Sequence, residues 1–255
     1  MVSIENDFIL QSIKNIDKIL QLFSKDVTEL GVSEISKATQ LSKSTVHRTL
    51  VSLKNIGLLK QSQATLKYSL GYRILYLSNI LQDQLNYQDI ALPIMRDLRD
   101  KTNETIAFHM FDGSRRICLF QVESNHELRR TYTDIGKPLP LYPGSPGKVI
   151  LANLKSHERE EFIRSFNLDA ESERILREEI ETTIEKGYAL SLSERTRGIA
   201  SISAPVFDAS DQVVAVINIS GPDSRVTKEK LNEFKDLLIP ATKKITEKMI
   251  FKNNF

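Results

Sequence analysis

One cysteine, Cys118, stands in 255 residues. A lone thiol cannot close an internal disulfide or supply a thiolate metal cluster, and its place between Ile117 and Leu119 suits a buried structural thiol. No apolar run approaches the roughly 18–20 residues that span a bilayer. The longest, Val213–Ile217, has the length of a buried strand. Met1–Leu10 lacks the basic start and apolar centre of a secretory leader. Internal repeats and low-complexity segments are missing as well. Catalytic signatures are equally scarce: there is no Gly-x-Ser-x-Gly elbow and no His-Glu-x-x-His pair, and His47, His109, His126 and His157 are scattered. Gly144–Lys148 departs from a phosphate-binding loop, with Tyr142 where glycine is required and Val149 in place of Ser or Thr. These absences leave the expectation of a soluble, cytoplasmic chain with no membrane partner, no metal and no cofactor.

What is present suffices for a packed core. The chain is 40% apolar, 27% charged and 7% aromatic, and its length suits one large domain or two ordinary ones. The net charge is only +2, but it is unevenly placed. Between Val32 and Arg73 stand Lys37, Lys43, Arg48, Lys54, Lys60, Lys67 and Arg73 against the single acid Glu34, a local +6. Residues 86–255 carry −1. A basic head on a near-neutral body points to a polyanion-binding module, although a stretch of this kind is also compatible with a solvated face.

The head opens with an amphipathic helix through Ile9, Ile13, Ile16, Ile19, Leu20 and Phe23. Gly31 breaks it. Ser33 is read as the N-cap of a helix over Glu34–Thr39, with Ile35 and Ala38 inward. Ser42 caps a second helix, Lys43–Asn55, buried through Val46, Leu50 and Leu53 and ended by Gly57. Two short helices across a tight turn are the signature of a helix-turn-helix. Leu58–Gln61 and Leu66–Leu70 then read as a hairpin wing around Ser62–Thr65, a turn without glycine. Ile74, Leu77, Leu81 and Leu85 continue as a connecting helix. The expected division is 1–71 for the DNA-binding head, 72–87 for the linker helix and 88–255 for the body, with the boundary near Asn86.

The body alternates helix and strand in an α+β, sensor-like pattern. A helix is expected over Ile90–Asn103, with Pro93 in its first turn. Strands follow over Thr105–Phe111 and Arg116–Val122 around Asp112-Gly113, and a third over Leu128–Asp134. Gly136–Lys148 is read as a loop opening into a helix at Val149. Helices over His157–Phe166 and Ser172–Lys186, strands over Tyr188–Leu192, Ser201–Phe207 and Val213–Ser220, and a closing helix Lys228–Lys252 complete the reading.

The run Leu41-Ser42-Lys43-Ser44-Thr45-Val46-His47-Arg48-Thr49-Leu50, with Leu53 and Gly57, resembles the recognition helix of IclR-type transcriptional regulators. Four further landmarks follow in order: Gly136–Leu141 with Gly147-Lys148, Gly187-Tyr188-Ala189, Gly198–Ile202 with Ala204-Pro205, and Asn218–Pro222. The resemblance implies a winged helix-turn-helix, a linker helix and a GAF-like α/β effector domain, assembled as a dimer or dimer of dimers without catalysis. Two rivals stand beside it: an enzyme, or a ligand-sensing adaptor that has abandoned DNA. The clustered positive charge argues against the adaptor.

For the head, the expected contacts to an operator duplex are Lys43, Ser44 and Thr45 at the positive end of the recognition helix, with Arg48 one turn on forking onto a guanine. His47 can donate to phosphate or base. Lys54, Lys60 and Lys67 complete the set, the two wing lysines reaching phosphate, while Ser62 and Thr65 can reach a minor groove. For the body, the resemblance implies a small organic or aromatic acid held by Ser191, Ser201, Asn218 and Ser220, with Ser145 and Gly147 lending backbone from the loop. Asn218 and Ser220 alternate with Ile217 and Ile219, so both share one strand face. Two positions depart from the family. An acid is common where this chain has Ser191, and Pro146 has no N–H to give. Arg197, between the closing strands, is a weaker candidate for pairing an acid.

Overall fold

The computed structural model describes residues 9–85, 87–133 and 135–252. Asn86 and Asp134 lie outside the described residues, and so does the side chain of Leu85. The chain divides into two compact units, Ser3–Asn86 and Tyr87–Phe255.

The first unit contains α1 (Gln11–Leu20), α2 (Val32–Thr39), α3 (Lys43–Asn55), the strands β1 (Leu59–Gln61) and β2 (Tyr68–Leu70), and α4 (Tyr72–Leu85). Its core is Ile19, Ile35, Val46, Leu50, Leu53, Leu59 and Tyr68. In α1 only the second half faces that core: Ile19 is buried, while Ile9 and Ile13 are exposed. Ser33 is not the cap of α2. The helix begins one residue earlier, and the Glu34 carboxylate accepts from Gly31 N–H at 2.6 Å. Thr39 rather than Ala38 turns inward, its hydroxyl donating to Ile35 C=O. The cap of α3 is Ser42, whose Oγ accepts from Thr45 N–H at 3.2 Å. Gly57, at φ +78°, follows the helix in the left-handed region, as its position suggested.

β1 and β2 pair antiparallel through Lys60↔Ser69. The absent turn glycine is replaced by Leu66, held at φ +56° with its N–H donating to Ser62 C=O. A leucine is uncommon there because its Cβ crowds the following carbonyl. Its side chain is correspondingly exposed.

The second unit is an antiparallel six-stranded sheet, ordered β5-β4-β3-β8-β7-β6. Its elements run α5 (Tyr87–Thr102), β3 (Thr105–Phe111), β4 (Arg116–Val122), β5 (Pro138–Leu139), α6 (Ser145–Asn153), α7 (Ser156–Ser165), α8 (Ala170–Lys186), β6 (Ala189–Leu192), β7 (Ile199–Phe207), β8 (Val213–Pro222) and α9 (Lys228–Lys252). One sheet face, with Ile106, Phe108, Ile202, Ala204, Ile217 and Ile219, packs on Met95 and Leu98 of α5 and on Leu238 and Ile245 of α9. The other face meets α6, α7 and α8 through Val149, Ile150, Phe162, Leu176 and Ile180.

Several expectations for this unit need correction. Residues 128–133 form no strand. Their backbone is held by side chains instead: Gln121 Oε1 accepts from Tyr132 N–H at 2.8 Å, Gln121 Nε2 donates back to Tyr132 C=O, and Thr105 Oγ1 donates to Arg130 C=O. α6 starts at Ser145, four residues before Val149, because Gly144 takes φ +117° and Pro146 is tolerated in a first helical turn. α5 starts at Tyr87, which places Pro93 inside the helix rather than in its first turn. The β3–β4 connection has four residues, closed by Asp112 N–H on Arg115 C=O, with Asp112 Oδ1 accepting from Ser114 and Arg115 N–H.

Candidate nucleic-acid interface and ligand cleft

On α3, the apolar residues Val46, Leu50 and Leu53 are spent on the core, which leaves Lys43, Ser44, His47, Arg48 and Lys54 exposed. Residues 44, 47 and 48 fall on one helical face by their spacing of three and four. The Ser42 hydroxyl sits 2.9 Å from Ser44 Oγ and 2.8 Å from Thr45 Oγ1. Thr45 is therefore half-buried within the cap. Three lysines are already engaged. Lys54 Nζ donates to Gln61 Oε1 at 3.2 Å, tying the end of α3 to β1. Lys60 lies 4.7 Å from the Tyr72 ring centroid, a cation–π contact. Lys67 Nζ pairs with Glu34 Oε1. Gly31 N–H and then Lys67 hold the Glu34 carboxyl below its usual range.

In the second unit, the sheet face toward α6 carries a stripe of buried polar residues. Strand register lines up Thr105, Ser220, Ser201 and Ser191 in one row, and Ala107, Asn218 and Ser203 in the next. Alternation in β8 puts Ile217 and Ile219 into the core opposite. α6 presents Ser145 to this stripe: its Oγ lies 2.8 Å from Ser201 Oγ and 2.9 Å from Ser203 Oγ. Asn218 Nδ2 donates to Ser203 Oγ at 2.9 Å, and Asn218 Oδ1 accepts from Tyr132 Oη at 2.8 Å.

Beside this network opens a small cleft of about 40 Å³, partly open to solvent. Ser191, Ser201 and Ser220 line it, together with Gly144, Pro146, Thr196 and Ile199. Ser145 and Asn218 do not; they close the polar network behind it. Gly147 is packed against Leu141, whose carbonyl a Cβ at residue 147 would overlap. The remaining lining is Arg116, Arg130, Tyr132 and Arg195. These were not singled out in the sequence. Arg116 shares the phase of Cys118 in β4, a usable signal, whereas Arg130 and Tyr132 belong to an irregular segment without one. Arg195, not Arg197, faces the cleft.

The electrostatics of the cleft are one-sided. Arg116 is 1% exposed, and its Nε donates to Pro140 C=O at 2.9 Å. Burial first, and then Arg195, bring its pKa down to about 10. Burial also lowers Arg195. Arg130 stacks 4.7 Å from the Tyr132 centroid. His109, fully buried at 5.1 Å from that ring, has no partner for either ring nitrogen. Burial, with Arg116, Arg195 and Arg130, holds His109 well below 6.5. Nearby, Lys148 is buried between Glu179 and Glu194 at 2.9 and 2.8 Å. Among the described residues no group of three or more His, Cys, Asp or Glu is placed to hold a metal, and no helix is long and apolar enough to cross a membrane. Cys118 is buried, which pushes its thiol up to about 12, the property of a structural rather than reactive cysteine.

A head with an exposed polar helix after a tight turn, and a body with a polar cleft against a curled sheet, match the two-part build of a transcriptional regulator. The chain belongs to the IclR family of transcriptional regulators. Residues 12–63 match the IclR helix-turn-helix domain, and residues 81–247 match the bacterial transcriptional regulator IclR C-terminal domain. The HTH-type transcriptional regulator KipR of Bacillus subtilis is 33% identical over 227 residues, 85% of this chain and 90% of that protein. The Thermotoga maritima IclR crystal structure superposes with a TM-score of 0.73 at 26% identity, over 93% of this chain and 98% of that one. An IclR homolog from Microbacterium hydrocarbonoxydans complexed with 4-hydroxybenzoate shares the fold at TM-score 0.78 and 20% identity, over 94% and 99% of the two chains. These relatives are regulators, not enzymes by name.

Proposed function

We propose that this chain is an operator-binding repressor whose affinity for DNA is set by a small organic or aromatic acid in the cleft of its second unit. The division of labour is 1–71 for operator contact, 72–87 for connection and 88–255 for the acid and for assembly. Lys43, Ser44, His47 and Arg48 meet the major groove, and Arg48 carries the base preference. Lys60 approaches phosphate directly, whereas Lys54 and Lys67 must first leave Gln61 and Glu34, and Thr45 positions the helix end through its cap.

The acid lies against Ser191, Ser201 and Ser220, whose hydroxyls donate to its oxygens, and Ser145, itself contacted by Asn218, holds Ser201 in place. Gly147 serves by letting α6 approach Leu141. The observation that carries this reading is the convergence of Arg116, Arg130 and Arg195 on a serine-lined cleft. The homolog bound to 4-hydroxybenzoate supports a carboxylate ligand. Exposed apolar side chains along α4, including Leu75, Tyr76, Ile80 and Leu81, support assembly into a dimer or dimer of dimers.

The test is a mobility shift on the DNA upstream of this protein's own coding region, across salt and with candidate acids. A retarded complex that weakens with salt and responds to an acid is expected. No complex at low ionic strength, with or without acids, would sink the reading.

A further inference from the structure

The ligand cleft contains more positive charge than a single carboxylate can offset. Arg116, Arg130 and Arg195 all line it, and among the described residues no Asp or Glu does. Among the described residues none of these arginines forms an ion pair with a carboxylate; Arg116 donates to a backbone carbonyl, and Arg130 rests on the Tyr132 ring. Other arginines of the same unit are paired: Arg177 holds Glu160 and Glu173, Arg225 holds Glu104, and Arg129 holds Glu123. Three arginines without a carboxylate partner among the described residues thus meet in this one cleft.

Burial makes the concentration costly. Arg116 is 1% exposed, and its neighbours repel it through a medium poorer in water than the surface. Such an arrangement is stable when an anion occupies it, since guanidinium forks match carboxylate and phosphate oxygens two at a time. Around the arginines, Ser191, Ser201, Ser220 and Thr196 supply neutral hydroxyls. Pro146, Ile199 and the Tyr132 ring supply the apolar part of the lining.

Resting on the reading of this cleft as an acid site, we infer that its ligand is a small polyanion carrying at least two acidic groups, carboxylate or phosphate. One acidic group leaves two guanidiniums unneutralised, whereas a second leaves only one. Thr196 and Arg195 come from one loop, and Arg130 and Tyr132 from another, so a ligand with separated acidic groups also joins two loops that the sheet does not pair.

The experiment is calorimetric titration of the full chain at constant ionic strength with acids paired by skeleton: butyrate with succinate, benzoate with terephthalate, and glycerate with 3-phosphoglycerate. Expected is at least one pair in which the polyanion binds tenfold or more tighter than its monoacid. The dicarboxylate and phosphate arms tell which acidic group is preferred. Arg195→Gln and Arg130→Gln, each checked by its melting curve, should cut that ratio to threefold or less, because each weakens the polyanion more than the monoacid. Equal binding of both members of every pair to the parent protein overturns the inference and leaves a monoacid effector standing. Polyanion preference that survives both variants also overturns it. Binding of neither class, in any pair, removes the acid site itself together with the inference.

Discussion

Lys67 Nζ stands 3.0 Å from Glu34 Oε1, so the hairpin and the first helix of the helix-turn-helix are joined by an ion pair across the face that would meet phosphate. A lysine held this way reaches DNA only by leaving its partner. Glu34→Gln should therefore tighten binding to duplex DNA, about threefold at low salt. It should also steepen the salt dependence by about one unit, since one more cation becomes available to displace counterions. Salt-titrated mobility shifts check this; unchanged affinity would mean that Lys67 stays away from the duplex.

Arg48 and Lys60 should separate by what they change. Arg48→Ala removes a forked donor from the exposed face of α3 and should cost about 1–3 kcal/mol on the preferred operator while barely affecting random duplex. Lys60→Ala should weaken both alike. Competition binding with specific and random DNA reads the difference, and equal losses from Arg48→Ala on the two duplexes would contradict the assignment.

Lys148 links the cleft to the helices beneath it. Its ammonium is buried and held by Glu179 and by Glu194, the residue before Arg195. Removing one member of a buried pair typically costs about 3–5 kcal/mol. Both glutamates are partly solvated, so about 1–3 kcal/mol is expected for Lys148→Met, with weaker acid binding as the Arg195 loop loses its anchor. Denaturant melts and titration check the two effects; a stable variant with unchanged binding would show that the anchor is idle.

Gly147 has no room for a side chain, because a Cβ there overlaps the Leu141 carbonyl. Gly147→Ala must push α6 away from that strand end. The expected loss is about 3 kcal/mol or more, roughly 6–12 °C in melting temperature. A melt within about 2 °C of the parent, on the order of 1 kcal/mol by the same scaling, would contradict the packing described here.

His109 makes stability depend on pH. In the fold it is neutral, held well below 6.5 by burial and by the surrounding arginines. The unfolded chain gains a proton as pH falls through 6.5 and the folded chain does not. The contribution is therefore complete above that pH and falls below it, by up to about 1.4 kcal/mol per pH unit. Urea melts between about pH 7.5 and 5.5, spanning the ordinary histidine range, should show the parent losing stability faster than His109→Gln. Parallel curves would mean that His109 is protonated in the fold.

Much of the head was legible because its signals are local. The Ser42 hydroxyl caps the helix that starts beside it, and Val46, Leu50 and Leu53 meet the core by helical spacing alone. The misread positions were those where two local solutions compete. Serine hydroxyls and glutamate carboxylates can each cap a helix start, and at Ser33 and Glu34 the carboxylate three residues into α2 prevailed. Residues 128–133 have the composition of a strand, but the Gln121 side chain satisfies their backbone in place of a neighbouring strand. Leu66 shows the reverse: the wing forms without glycine because its pairing and the Ser62 contacts hold a leucine in a left-handed turn.

By itself the sequence determined the helix-turn-helix, the order of most of the strands and helices, and the apolar phase of β8, since caps, turns and periodicity act over a few residues. It also placed Asn218 and Ser220 on one face of β8. The tertiary structure alone decided which charges share a cleft. Arg116, Arg130 and Arg195 are separated in the chain by 14 and 65 positions and come from a strand, an irregular segment and a loop. No periodicity relates them. They meet because the sheet pairs β4 with β3, β3 with β8 and β8 with β7, and packing against α6 then fixes where the loops between those strands must lie.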